Sequence, residues 1–508
     1  MAELTSNRRI FDTQHLQTDL KRQSVRGGVV TMGAQGMKFA MGMASTMIMA
    51  RILTPQDYGL VAMVGAVTGF VLMFREMGLA TATVQRSEIN HSQVSTLFWI
   101  NVALSLLISL VIAALAPGVA WFYGDPRLTL VTIVIGLGTI PGGFTVQHEA
   151  LLRRQMRFGS IAAIDIVSQL SGILAGIWFA WKGFEYWSLV YMGLVSGLAQ
   201  LIAVWVASGW IPGLPVRGSG IRSMLAFGGN LTGFNLFNYL ARNADDILIG
   251  KFIGADALGV YSKAYALLTL PLRQITAPIA AVATPALSRL QDDPVRYRKY
   301  YLKAISLLSL ATMPFVAFLL VMSRDIIIVV LGPRWVEAST IFMILAVVAL
   351  GQPIASSTGW LFVSQNRTQE MLRWGIFASS ITVFAFVIGL PWGTVGVATS
   401  YTTINLLATP LLYHFVSRKG PISTLDICKA VINPVCITLT VIVALALLRA
   451  YLPDETPALN LLTAFVMTAV VAALTLVVLP GGRQLYADMS AVLRAVSIRK
   501  AKDVPAHV

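Results

Sequence analysis

The sequence predicts an all-α integral membrane protein of about fourteen transmembrane helices, built on a duplicated unit. Three observations carry that prediction: a composition too apolar for water, a stretch that the chain states twice, and loop charges that follow the crossings. Of 508 residues, 56% are hydrophobic and 12% charged, whereas soluble domains carry roughly 25% charged residues. The mean hydropathy is +0.73. The repeated stretch runs from Arg26 to Met63. At an offset of 200, Gly28, Gly33 and Gly59 fall on Gly228, Gly233 and Gly259, and Arg51 falls on Lys251. The run MIMARIL (47–53) falls on ILIGKFI (247–253), Gln35 on Asn235 and Lys38 on Asn238. A shared offset with matching glycines points to a duplicated membrane unit with a polar face in each copy.

About 20 apolar residues cross the roughly 30 Å of hydrocarbon. By that measure the spans lie near 27–51, 57–79, 93–116, 128–150, 160–181, 185–208 and 224–252, then 256–288, 300–322, 336–363, 370–390, 392–416, 427–449 and 459–479. Residues 1–25 are polar, with an Ile10, Phe11, Leu16, Leu20 stripe suited to a surface helix. The first apolar run spans rather than serving as a cleavable leader. With the amino terminus in the cytoplasm, the inside segments hold clusters such as Arg153, Arg154 and Arg157, and Arg296, Arg298 and Lys299. The outside segments hold only Arg51, Arg127, Lys182, Lys251, Arg324, Arg334 and Arg449. One miscounted span in the middle would invert this bias downstream, so an even count with both ends cytoplasmic is expected. The same distribution assigns the net charge of +15 to topology rather than to nucleic acid. Outside loops such as GDPRL and RAYLPDETPA are too short for a domain, and 289–301 reads as a charged inner connector.

Ionisable groups at membrane depth are costly and face a cavity or one another. Lys38 lies about 18 Å along the first span from Arg26 at helical rise. In the seventh span, Asn235, Asn238, Arg242 and Asp245 follow i, i+3, i+7, i+10, one stripe of one helix, with Asp246 beside them. The eighth span carries Lys263 and Arg273, along with Pro271, Pro278 and Pro285, which are expected to kink it. Each has a plain structural reading as well. Arg242 can pair with Asp245 or Asp246 on adjacent turns. Arg75 with Glu76 reads as an interfacial pair, and Glu149 and Asp165 as partners of Arg153, Arg154 or Arg157. The glycines of the first and seventh spans read first as packing positions. Lys38, Lys263 and Arg273 have no carboxylate within helical contact in their own spans, so they require partners on another helix or an anionic substrate. Five scattered histidines and the lone pair Cys428 and Cys436 give no metal-ligand spacing and no disulfide framework; no cofactor is expected.

The segments TPQDYGLVAM (54–63), MGLATATVQR (77–86), QHEALLRRQMRF (147–158), NLTGFNLFNYLARNADDILIGKFIGADALGVYSKAYALLTLPL (230–272) and PALSRLQDD (285–293) resemble the polysaccharide-transporter family of the multidrug/oligosaccharidyl-lipid/polysaccharide (MOP) exporter superfamily. The similarity runs from about residue 24 to 420 and is greatest to the Wzx-type exporters of the colanic acid and exopolysaccharide kind. The resemblance implies two pseudo-symmetric six-helix lobes around a cavity lined by the first, second, seventh and eighth helices. It implies basic cavity residues that meet the pyrophosphate of an undecaprenyl-linked oligosaccharide in the bacterial inner membrane. Lys38, Arg242, Lys263 and Arg273 are the positions that fit that part, with Asn235 and Asn238 on the same face. The implied layout is a cytoplasmic segment (1–26), a first lobe (27–208), a linker (209–223), a second lobe (224–417), two additional spans (418–480) and a cytoplasmic tail (481–508). Other membrane proteins of polysaccharide assembly are implied as partners.

Asp245 and Asp246 are candidates for ion coupling, because a carboxylate near buried cations can change protonation during a transport cycle. Efflux of small cationic drugs on the related scaffold is the alternative, but such a site should be rich in acids and aromatics, and this one is net basic. A glycan polymerase or ligase needs a large outside loop, which the chain lacks. A GxxxxGK[ST] phosphate loop is absent, which excludes an ATP-driven pump within this chain. NLT (230–232) and NRT (366–368) match the glycosylation pattern but fall in a span and an inner loop.

Overall fold

The computed structural model describes residues 20–72, 79–86, 89–216, 243–453 and 455–480. They are helical, without a β-strand among the described residues. In the first half, α1 (Leu20–Ile52) is followed by α2 (Pro55–Leu72), α3 (Leu79–Gln85), α4 (His91–Tyr123), α5 (Arg127–Leu137), α6 (Ile140–Arg154), α7 (Phe158–Trp181) and α8 (Trp187–Ser208). Beyond 243 come α9 (Ala244–Phe252), α10 (Ala255–Ser288), α11 (Pro294–Val321), α12 (Ser323–Val330) and α13 (Ala338–Ser364). The chain continues with α14 (Thr368–Gly389), α15 (Gly393–Ser417), α16 (Thr424–Arg449) and α17 (Pro457–Val478). Ten stretches among the described residues are long and apolar enough to cross a membrane. They cover eleven of the expected spans, because Thr368–Ser417 contains both α14 and α15. Of the other three, the first is helical throughout, the second is helical to Leu72, and the seventh is described only from residue 243.

The chain divides into two compact units, Met1–Val260 and Tyr261–Val508. In the first, α7 lies against α8 and α1, and α4 against α5 and α6. Local chemistry sets several ends. Asn90 caps α4 in a reciprocal box with Gln93, and Gly124 closes it in the left-handed region at φ 76°. Asp125 then pairs with Arg127 at 2.7 Å, and the hydrogen bond from Arg127 holds that half-buried carboxyl below its usual range. The fourth span, expected as one helix, is two. Gly138 leaves room for Leu194, and Pro141 lacks the N–H that would continue the ladder, so α5 and α6 join by a turn. Phe98 and Trp210 pack edge-on against the buried His148 and Trp205 lies tilted over it at 4.4 Å, while His148 hydrogen-bonds Ser208 at 2.8 Å.

In the second unit, α11 lies against α13 and α16, and α13 against α15. The buried phenols of Tyr297 and Tyr301 meet Ser364 at 2.6 Å and Ser357 at 2.9 Å. The stretch 289–301, expected as a connector, is therefore helical from Pro294, capped by Asp293. α10 remains one continuous helix through Pro271, Pro278 and Pro285. α12 is a short helix in what reads as an outside loop. Its Asp325, only 3% exposed, pairs with Arg449 at 3.0 Å, anchoring the end of α16. Losing one partner of such a pair strands the other charge. Asp325→Ala should lower the thermal midpoint of the purified protein, a loss of up to about 3 kcal/mol because Arg449 keeps some contact with solvent. An unchanged midpoint would show that the pair contributes nothing.

Candidate functional site

The polar seam of the first unit is built by α1 against α7. At one end Gly27 makes room for Phe158; a side-chain carbon there would meet its ring. Eleven residues on, three turns of helix, Lys38 Nζ donates to Asp165 Oδ2 at 2.8 Å, and Gln169 Nε2 donates to the Lys38 carbonyl at 3.0 Å. Asp165 and Gln169 stand one turn apart on one face of α7, which is why one stretch of α1 engages both. The ion pair is neither sealed nor fully wet, with the Lys38 side chain 32% and the Asp165 side chain 28% exposed. Lys38 thus has the partner on another helix that its position demands. For Asp165 the expectation is corrected: it pairs with Lys38, while Glu149 pairs with Arg153 at 2.6 Å. Of the first-span glycines, Gly27 and Gly42 pack against α7, at Phe158 and Gln169. No described residue lies within 4 Å of a side-chain carbon at Gly28, Gly33 or Gly36. They lie along the α1 surface that also exposes Met32, Gln35 and Met37.

α9 brings the paired carboxylates. Asp245 is buried and Asp246 half-buried in its first turn, at the positive end of the helix dipole. The other end is pinned: Lys251 donates to the Phe122 carbonyl and lies 5.0 Å from that ring, and Gly250 sits against Tyr123. Asn235, Asn238 and Arg242 lie outside the described residues, as do Arg75 and Glu76, so the stripe of the seventh span is seen only from Asn243 onward. In the second unit, Lys263 is half-buried beside the stacked rings of Tyr261 and Tyr265, and Arg273 is exposed on α10 without an ion pair to a described residue. Lys38 belongs to the first unit, Lys263 and Arg273 to the second.

The repeat also brings two of its glycines into close contact with backbone. Thr54 caps α2 reciprocally with Asp57: its N–H and hydroxyl donate to Asp57 Oδ2 and its hydroxyl accepts from the Asp57 N–H, and Pro55 starts the helix. Four residues on, Gly59 meets the first turn of α10 so closely that a side-chain carbon would lie 2.5 Å from the carbonyl carbon of Ala255. A side-chain carbon at Gly259 would lie 2.7 Å from that of Pro55. The offset of 200 turns the first contact into the second. The two copies therefore cross reciprocally, and each needs glycine at the crossing.

A family profile described as polysaccharide biosynthesis protein matches residues 48–340. The chain belongs to this family. It is 24% identical over 409 residues to the lipopolysaccharide biosynthesis protein WzxC of Escherichia coli strain K12, covering 79% of this chain and 82% of that one. Among solved structures it shares the fold of the lipid II flippase MurJ in an inward closed conformation. The TM-score is 0.70 at 12% identity, over 88% of this chain and 98% of that one. An inward-facing multidrug resistance MATE family transporter of the MOP superfamily aligns at TM-score 0.60 and 14% identity, over 76% and 97%. The MOP transporter fold expected from the sequence is the fold observed, in a multi-pass membrane protein.

Proposed function

We propose that this polysaccharide biosynthesis protein is a transporter, not an enzyme. It flips undecaprenyl-pyrophosphate-linked oligosaccharide repeat units across the bacterial inner membrane for exopolysaccharide, capsule or O-antigen-type synthesis. Family membership carries the reading: a relative of a lipopolysaccharide biosynthesis protein has the fold of a lipid II flippase. The physical task is to move a large polar headgroup through hydrocarbon while its lipid tail stays in the bilayer. Charge-assisted hydrogen bonds from Lys or Arg replace phosphate hydration, and alternating access re-exposes the headgroup on the far side. Lys38 is the first candidate, since a phosphate oxygen can displace the half-exposed Asp165 carboxylate. Asn235, Asn238, Arg242, Lys263 and Arg273 are further candidates, and Asp245 and Asp246 are candidates for ion coupling. An inside-negative potential favours outward movement of an uncompensated anion by about 2.3 kcal/mol per charge per 100 mV. Both termini are placed in the cytoplasm, with other membrane proteins of glycan assembly as working partners.

Deleting the chain from its host should make lipid-linked repeat units accumulate on the cytoplasmic leaflet. A changed drug-resistance spectrum with normal glycan would instead favour efflux of small molecules; the MATE structure of the same fold is named a multidrug resistance transporter.

A further inference from the structure

Between the start of α14 and the end of α15 in the second unit lies a cavity of about 310 Å³. Its walls combine two chemistries. Trp374, Phe377 and Phe415 supply an aromatic floor, with Trp374 5.5 Å from each of the other two rings. Arg373, His414 and Arg418 supply basic groups at the rim. All three are exposed, and none forms an ion pair with a described residue. Glu370, one turn before Trp374, is already shared by Arg367 at 2.8 Å and Lys419 at 3.2 Å. The helix surface leading away from the rim is apolar, with Ile376, Leu407 and Leu411 exposed. Apolar surface reaching into hydrocarbon, aromatic rings at its edge and exposed cations just beyond reproduce the depth profile of a phospholipid: chains, glycerol, then phosphate.

From this we infer that the α14–α15 cavity holds the headgroup of a resident anionic glycerophospholipid of the cytoplasmic leaflet. Charge complementarity identifies the occupant, because a zwitterionic headgroup would bring its own cation against Arg373 and Arg418. The leaflet follows from the loop-charge orientation, and the inference is independent of what the protein exports.

The test uses the full-length chain, purified in detergent, stripped of lipid and titrated with phosphatidylglycerol or phosphatidylcholine, with native mass spectrometry counting retained lipids. Wild type should retain phosphatidylglycerol in preference to phosphatidylcholine. Arg373→Gln/Arg418→Gln should weaken that retention on the order of tenfold, each arginine near the surface contributing a few-fold. Arg373→Lys/Arg418→Lys should largely restore it. If the double glutamine variant does not fold, Arg418→Gln at the exposed helix end carries the test with a smaller loss. Equal retention of both lipids, or equal retention by wild type and variant, overturns the site. Displacement by inorganic phosphate at lipid-like concentrations would make it an anion site without a lipid. Displacement by undecaprenyl phosphate at lower concentration than phosphatidylglycerol would assign it to the carrier instead.

Discussion

Gly59→Leu should abolish export of lipid-linked repeat units while leaving membrane levels of the protein near normal. The reason is the reciprocal crossing of the two repeats, where a side-chain carbon at Gly59 would lie 2.5 Å from the Ala255 carbonyl carbon. The obstacle is backbone, which cannot rotate away as a side-chain end can, so α2 and the first turn of α10 must separate. Overpacking of this kind typically costs about 1–3 kcal/mol. That cost falls only on the conformation in which the crossing is made. In an alternating-access cycle it shifts the equilibrium by about tenfold per 1.4 kcal/mol toward states in which the helices are apart. The repeat adds a sharper expectation. Because the offset of 200 exchanges the two contacts, Gly259→Leu should give the same defect, whereas Gly28→Leu, with no described residue within 4 Å of a side-chain carbon there, should be far milder. Accumulation of lipid-linked repeats in the cytoplasmic leaflet, scored beside protein level, is the measurement. Normal export by both Leu variants would show that the crossing need not form during transport.

Lys38→Ala is expected to cut export by on the order of tenfold or more, the typical worth of a charge-assisted contact to phosphate being about 1.5–3 kcal/mol. A lost ion pair is the competing explanation, and the two separate cleanly. If the Lys38–Asp165 pair merely holds α1 to α7, Asp165→Asn should be as damaging as Lys38→Ala, and the exchange Lys38→Asp with Asp165→Lys should repair both. If Lys38 receives the phosphate, Asp165→Asn should retain most activity, because it leaves the cation and removes its competitor. The charge exchange should then keep the protein folded but inactive, with an anion on α1. The half-exposure of both side chains makes the second outcome the expected one. Repair by the exchanged pair would end the assignment.

Much of the architecture was legible because it depends on quantities that sequence carries directly. Span length, loop charge and the offset of 200 are local or periodic properties. Eleven of the expected spans accordingly reappear as long apolar helices among the described residues. The breaks inside them were less legible. The turn at Gly138 and Thr139 depends on Leu194 filling the space beside a glycine, and the short helix α12 on Asp325 reaching Arg449, more than a hundred residues away. The candidate site divides in the same way. Lys38 stood out because an unpartnered cation in an apolar span is costly wherever it lies, but the identity of its partner did not. Asp165 shares a plausible inner-end neighbourhood with Arg153, Arg154 and Arg157, and only the register of α7 against α1 decides among them.

The amino-acid sequence on its own determined that this chain lives in a bilayer, crosses it many times, contains a unit stated twice and places cations where hydrocarbon does not tolerate them. Hydrophobicity and charge are summed along the chain, so these conclusions need no knowledge of neighbours. Tertiary structure alone decided that Lys38 meets Asp165 and that Gly59 and Gly259 lie where described parts of the two repeats touch. Distance between helices is set by packing across the fold, and no periodicity within a helix encodes which side chain waits on the next one.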